Sequence, residues 1–348
     1  MKTRLALLVA VLQVLVLAFM AGQREWIART GTPLLLRTAP VDPNDPMRGA
    51  YVRLDYEISH VPAGLCQGAT AQWTKSTDYR EQQGLRDRVV YATLAVNPHG
   101  IAELTALSDT PPARGPYLKG RVQNADTGGI RVRYGIEALF MSKETARRTE
   151  AMALNQKVGA PMNVRVAVGS SGTAVLKDFT WEPLGITITL DRAPRRENND
   201  PQRWQPQPTT GLTVTLHNYG DQSATIVNLP DARSFRLVPN TRIPGNHYAW
   251  AGDTPPPAPT EADLVVLPPG GKHEVHLDLT QPRWWLTDTR KPGSDPIPFA
   301  KIPQGDAWTT SFRIEYAPPS QLSAISSQLS VSTTPLRSRA FNANQGVD

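Results

Sequence analysis

Apolar and polar positions alternate along most of the chain beyond residue 33, and this period of two is typical of half-buried β-strands. In the first half the pattern predicts strands at residues 34–38, 51–59, 89–96, 117–122, 130–134, 164–168 and 174–179. Residues 142–157 are a helix candidate, because Ser142 can cap the start and Pro161 follows the end. We therefore predict a β-rich α+β domain with one helix over residues 24–180.

The second half repeats the alternation with shorter runs and more turn residues. Strands are predicted at residues 186–190, 212–216, 225–229, 234–238, 263–267, 275–279 and 312–316. Short strands separated by Pro- and Gly-rich turns favour an Ig-like antiparallel β-sandwich over residues 181–320. Residues 321–348 are rich in Ser, Gln, Thr and Asn, so we predict a flexible tail there. The whole chain is thus predicted to be mainly β.

The first residues break this pattern with one continuous apolar stretch. Residues 5–22 contain Gln13 as their only strongly polar member and follow Lys2 and Arg4. As a helix they would cover roughly 27 Å, close to the hydrocarbon thickness of a bilayer. A cleaved signal peptide is the alternative, but Phe19 and Val16 make poor cleavage contexts. We predict a transmembrane signal anchor over residues 1–23, continued by a short helical turn before Pro33.

The charges before this anchor predict its orientation. Lys2 and Arg4 favour a cytoplasmic N-terminus, with the bulk of the chain on the periplasmic or other extracytoplasmic side. We expect a single-pass membrane protein. The net charge of +6 is spread over strand-like segments with acidic neighbours, so no nucleic-acid partner is expected. Attraction to an anionic membrane surface or envelope polymer is a simpler interpretation. The single Cys66 excludes an intramolecular disulfide and a CxxC site.

The most specific string begins at residue 40, where a Pro- and Asp-rich loop leads into an alternating strand. Tyr56 lies on the apolar side with Val52, Leu54 and Ile58, so we expect a core tyrosine whose hydroxyl needs a partner. Tyr51, Arg53 and Asp55 lie on the other side and are the predicted contact face. Asp42, Arg48 and Lys119 are candidates for a polar cluster around the loop.

This string resembles the motif of the GDYxxLxY family of membrane-anchored bacterial proteins. It reads Gly49-Ala50-Tyr51-Val52-Arg53-Leu54-Asp55-Tyr56, and further similar stretches lie at residues 117–122, 134–140, 164–168 and 174–176. Ala50 replaces the motif's aspartate, so that carboxylate is absent here. The resemblance covers residues 1–180. It implies a bacterial inner-membrane protein without enzymatic activity that acts beside a polytopic membrane protein. It also adds the motif residues Gly49 and Tyr56 to the candidate binding residues.

We find no catalytic or cofactor motif in the sequence. Ser170 and Ser171 lie between glycines, but the string lacks the strand-to-helix context of a nucleophile elbow and predicts a hairpin turn. Glu274, His276 and Asp278 lie on one side of a predicted strand and would bind a metal only if another strand completed the site; otherwise they form a solvated polar face. The set of Trp250, Trp284, Trp285 and Trp308 suggests a glycan platform, packing at the ends of the sandwich or a contact with a partner.

These patterns leave three functional hypotheses. The first is a non-catalytic extracytoplasmic binding or assembly module that acts with a polytopic membrane protein and needs no cofactor. The second is an envelope hydrolase whose catalytic residues meet only in the fold. The third is a cell-wall or glycan-binding protein that uses the C-terminal sandwich.

Overall fold

A computed structural model describes most of the two predicted domains and the anchor. The described residues are 2–38, 51–97, 99–140, 160–191, 207–240, 247–252, 256–291, 293–303, 306, 310–319, 331–332 and 334–345. The predicted helix at residues 142–157, the motif positions 42, 48, 49 and 50, and Trp308 lie outside them.

The chain begins with helix α1, Lys2–Thr30. Residues 9–30 of α1 are long and apolar enough to cross a membrane, and 6% of that window is buried. Side chains such as Leu12, Leu15 and Phe19 are exposed, as lipid-facing residues would be. The helix extends the predicted anchor to Thr30, so the expected helical turn is continuous with it.

The end of α1 packs directly against the first domain. Ile27 is buried, and its side chain lies so close to Gly169 that a Cβ there would approach it to 3.0 Å. The carbonyl of Ile27 accepts the N–H of Gly31 at 2.8 Å. Lys177 Nζ donates to the carbonyl of Ala28 at 2.7 Å, which satisfies one of the open carbonyls at the helix end. The helix and the domain are therefore joined by contacts as well as by the chain.

Three antiparallel sheets build the first domain. Its strands are β1 (Thr32–Arg37), β2 (Tyr51–Arg53), β3 (His60–Pro62), β4 (Val89–Val96), β5 (Ala102–Ser108), β6 (Tyr117–Asp126), β7 (Gly129–Arg133), β8 (Ala138–Phe140), β9 (Met162–Val168) and β10 (Ala174–Trp181). The strand orders are β3-β7-β6-β4-β5, β1-β9-β10 and β2-β8. Two short helices, α2 (Ala69–Trp73) and α3 (Tyr79–Gly84), are additional to the sequence prediction because five or six residues show no clear helical period.

The single strand predicted at residues 51–59 is wrong as a continuous element. β2 pairs with β8, Tyr56 then forms an isolated bridge to Thr38, and a 3₁₀ turn at Glu57–Ser59 leads into β3, which pairs with β7. The predicted alternation nevertheless holds, since Leu54, Tyr56 and Ile58 are buried. The segment changes partner twice, and apolar periodicity does not report which strand a residue pairs with.

The second domain follows β10 almost at once. Its strands are β11 (Leu184–Leu190), β12 (Gln207–Pro208), β13 (Gly211–Asn218), β14 (Ala224–Val227), β15 (Phe235–Pro239), β16 (Tyr248–Trp250), β17 (Leu264–Leu267), β18 (Lys272–Asp278), β19 (Trp285–Asp288), β20 (Ile297–Pro298), β21 (Ser311–Tyr316), β22 (Leu336–Arg337), β23 (Phe341–Asn342) and β24 (Asn344–Gln345). The main sheets are β11-β13-β18 and β15-β21-β22, with β23 also on β21. Their inner faces share one core, as expected for an antiparallel sandwich.

The predicted flexible tail is wrong for residues 334–345. β22 and β23 pair with β21, and β24 pairs with β12. Leu336, Phe341 and Ala343 are buried in the second core. Strands of two residues in a Ser- and Asn-rich segment carry no readable period, so tertiary packing overrides the local composition here.

Polar contacts join the two domains through the same C-terminal segment. Arg37 Nη1 donates to the carbonyl of Pro335 at 2.7 Å. Arg337 Nη1 lies 3.2 Å from Glu57 Oε2 in the first domain, while its Nε donates to Glu315 Oε2 at 2.6 Å in the second. The arginine therefore bridges one carboxylate from each domain.

Candidate functional site

The motif segment contains one ion-paired carboxylate, Asp55, which is partly buried. Asp55 Oδ2 lies 2.9 Å from His60 Nε2, and Asp55 Oδ1 lies 3.7 Å from Arg131 Nη2. His60 begins β3 and Arg131 is its register partner on β7, so the sheet pairing fixes both groups beside the carboxylate. Asp55 was expected on an outward contact face. The structure instead places it at the edge of the large sheet, where it joins the motif to β3 and β7.

Tyr56 lies in the core, as its side of the strand predicted, and its burial removes it from the candidate binding residues. Its side chain is fully buried, and its hydroxyl donates to the carbonyl of Ile136 at 2.8 Å. Tyr134 makes the reciprocal contact, since its hydroxyl donates to the carbonyl of Ile58 at 2.8 Å. Burial, with a smaller contribution from Glu137, raises the pKa of both phenols well above the ordinary value, so both remain neutral donors. These two bonds hold the motif segment to the loop after β7.

For Tyr51 and Arg53, the structure describes the backbone pairing of β2. β2 runs antiparallel to β8, with Tyr51 opposite Phe140 and Arg53 opposite Ala138. The other motif-loop candidates, Asp42, Arg48 and Gly49, lie outside the described residues, so the predicted cluster of Asp42, Arg48 and Lys119 stays a prediction.

Lys119 lies on β6, away from Asp55. Its side chain is exposed, and its backbone N–H donates to the carbonyl of Gly172 at 2.8 Å. Arg131, which contacts Asp55, is opposite Asn124 on β6. Five residues along a strand correspond to about 15 Å, so Lys119 and Asp55 occupy different ends of the sheet.

The sheet brings together basic residues that were predicted to be scattered. Lys119 and Arg121 on β6, and Arg131 and Arg133 on β7, are all exposed and alternate with buried residues, so they share the outer face. Arg121 and Arg133 are direct register partners, and like charges in this position repel. Asp87 relieves part of this repulsion, because Arg133 contacts its carboxylate at 3.3 Å and Arg121 its carbonyl at 2.8 Å. Basic residues at alternating positions, 119 and 121 and then 131 and 133, were the sequence pattern that could have predicted this shared face.

The metal-ligand candidates on β18 interact with different partners and do not form a shared site. His276 Nε2 lies 3.0 Å from Asp191 Oδ2. Hydrogen bonds from Thr280 and then Gln281 hold the pKa of Asp278 below its ordinary value. Glu274 is exposed and opposite Thr215. Within the described residues, no three His, Cys, Asp or Glu side chains form a group that could hold a metal ion.

The remaining candidates have packing roles. Ser170 and Ser171 lie in the tight turn between β9 and β10, where Gly172 N–H donates to the carbonyl of Gly169. Trp284 is 2% exposed and stacks on Trp250 at 6.2 Å between ring centroids, so its ring is unavailable as a glycan platform. Arg283 lies over both rings at 5.4 Å. Trp284 is thus part of the second core, and Trp250 packs against it.

One comparison with known proteins bears on the first domain. Residues 13–179, just under half of the chain, match the family described as GDYXXLXY protein. This segment belongs to that family. The match runs from the apolar helix to β10 and confirms the resemblance inferred from the motif, while the second domain lies outside it. No curated protein matches the chain significantly.

Proposed function

We propose that this protein is a membrane-anchored, non-catalytic binding and assembly module that acts with a polytopic membrane partner. The observation that carries the proposal is the junction between α1 and the first domain. An apolar, exposed helix ends against Gly169 without an intervening linker, so a partner that holds the helix in the bilayer also sets the position of the family domain.

The residues at the junction support a membrane-interface position. Trp26 is exposed on α1, and Arg24 and Arg29 flank it just beyond the apolar stretch. Tryptophan and arginine side chains are favoured at the headgroup level of a bilayer. With Lys2 and Arg4 at the other end, the proposed orientation has a cytoplasmic N-terminus, with both domains on the periplasmic side of a bacterial inner membrane. Protease added to spheroplasts is expected to digest both domains, and protection of both would overturn this orientation.

The partner is tested by photo-crosslinking of the full chain in membranes. A photoreactive amino acid is introduced at Phe19 on the exposed helix, at Arg53 on the predicted contact face, or at Val266. Val266 is exposed in the second domain and serves as the matched control. We expect Phe19 and Arg53 to capture the same polytopic membrane protein and Val266 to capture none. Lipid adducts alone, or equal capture at Val266, would contradict the proposal.

A further inference from the structure

A groove opens on the outer face of the first domain, between α3 and strands β6 and β7. Its volume is about 320 Å³, and it is lined by Tyr79, Gln82, Gln83, Arg86, Gln123, Asn124 and Arg131. The first four lining residues are spaced i, i+3, i+4 and i+7, so they form one face of α3 and the turn after it. This volume is at the lower end for ligand pockets, which suits a ligand of about one sugar ring.

A β-bulge shapes the opposite wall. The register between β6 and β7 shifts between Val122 and Asn124, so Gln123 is an extra residue in the ladder. Such bulges redirect side chains and are common beside binding sites. Here the bulge places two consecutive amide side chains, Gln123 and Asn124, against the same groove.

The groove carries positive charge without a matching carboxylate in its wall. Arg86 and Arg131 line it, and none of the other lining residues is acidic. Arg131 is 43% exposed and has only a loose 3.7 Å contact with Asp55, whose other carboxylate oxygen lies closer to His60 at 2.9 Å. Both guanidinium groups are therefore available for stronger, charge-assisted hydrogen bonds.

Amide groups complete the lining. The side-chain amide of Gln82 donates to the carbonyl of Ser76, and that of Gln83 donates to the hydroxyl of Tyr79. These bonds order the helix side of the groove. Among the described residues, the side chains of Arg86, Gln123 and Asn124 have no hydrogen-bond partner. An amide offers both donors and acceptors, the combination that a ligand hydroxyl requires.

We propose that this groove binds an acidic sugar residue. Its carboxylate or phosphate lies between Arg86 and Arg131, its hydroxyls contact Gln123 and Asn124, and its ring lies beside the exposed Tyr79. The inference does not depend on the proposed membrane partner. It assigns a carbohydrate site to the first domain, whereas the sequence suggested the second.

The test is calorimetric titration of the full-length protein in nanodiscs of zwitterionic lipid. The probes are glucuronate and glucose 6-phosphate. The controls are glucose, which lacks the acidic group, and inorganic phosphate, which lacks the sugar. We expect each acidic sugar to bind at least about fivefold more tightly than glucose or phosphate. Equal binding of phosphate alone would overturn the sugar assignment, and no binding of either acidic sugar would overturn the site.

Variants separate the groove from general electrostatics. R86Q and R131Q should each weaken the binding of glucuronate by about tenfold, the usual loss for one charge-assisted hydrogen bond. R80Q removes the same charge from an exposed position on α3 outside the lining and should leave affinity unchanged. Equal losses in R80Q and R86Q would overturn the specific site.

N124A keeps the charge and should weaken the binding of the acidic sugars while leaving the binding of phosphate unaffected. An equal loss of phosphate binding would overturn the assignment of the hydroxyls. Unchanged thermal midpoints show that the variants are folded.

Discussion

The two domains have cores of different composition. In the described part of the first core, the buried aromatic side chains are Tyr56 and Tyr134, among mostly aliphatic neighbours. Among the described residues, the second core has seven buried aromatics, namely Phe235, Tyr248, Trp284, Phe299, Phe312, Tyr316 and Phe341. In the first core, both tyrosine hydroxyls join the motif segment to the loop after β7. In the second core, aromatic side chains pack together and residues 334–345 complete the packing. The residues that match the family, the apolar helix α1 and the exposed basic residues of β6 and β7 all belong to the first half of the molecule.

Truncation after residue 333 should have the largest effect on this comparison. It removes β22 to β24 and the buried Leu336, Phe341 and Ala343. Loss of one buried phenylalanine costs about 3–5 kcal/mol, and the net stability of a domain is only about 5–15 kcal/mol. We expect the second domain to unfold while the first stays folded, as mapped by limited proteolysis with mass spectrometry. Asn342→Ala, an exposed position in β23, is the control and should resist proteolysis like the wild type. A protease-resistant second domain after truncation would contradict the described packing.

Matched tyrosine substitutions compare the hydroxyl bonds of the two cores. Tyr56→Phe leaves the buried carbonyl of Ile136 without its donor, and Tyr316→Phe leaves the N–H of Val227 without its acceptor. Each should lower the free energy of unfolding by about 1–3 kcal/mol, measured by urea denaturation. Tyr91→Phe is the control at a half-buried site and should change stability by less than about 0.5 kcal/mol. If Tyr56→Phe were as neutral as this control, the hydroxyl would not hold the motif segment.

A double-mutant cycle at Arg337 and Glu57 measures how strongly the domains are coupled. The pair spans 3.2 Å, and both side chains are partly exposed. We therefore expect a coupling energy of about 0.5–1 kcal/mol that decreases with salt. Glu315→Gln serves as the reference, because that partner lies within the second domain. Zero coupling would show that this ion pair does not stabilise the contact between the domains.

Cys66 is a buried thiol that can report the opening of the first core. Burial raises the pKa of its thiol to about 11, against an opposing hydrogen bond from Thr70. Because the folded pKa is above the ordinary 9.0, the associated stability is complete below about pH 9 and is lost as pH rises towards 11. Maleimide labelling at pH 7.5 should be slow in the wild type and in the truncated chain, and fast in urea. Fast labelling of the truncated chain would show that the cores do not unfold separately.

Sequence periodicity predicted most of the fold because most strands bury one face. The prediction for β4 coincides with the observed Val89–Val96, and those for β13 and β21 differ from the structure by two residues or fewer. Periodicity failed where pairing rather than burial decides the structure, as in residues 51–59 and 334–345. The site was less predictable, because the groove joins α3 to a bulge about 40 residues later in the sequence, and no local pattern reports that contact.

The position of β22 to β24 also has a consequence for biosynthesis. Every other described element of both domains is made before these strands, and domains generally fold from the N-terminus during synthesis. The family domain can thus be folded and tethered while the second sandwich still exposes its aromatic interior beside the membrane. Premature termination would leave a chain that reaches its destination with one finished domain and one aggregation-prone surface.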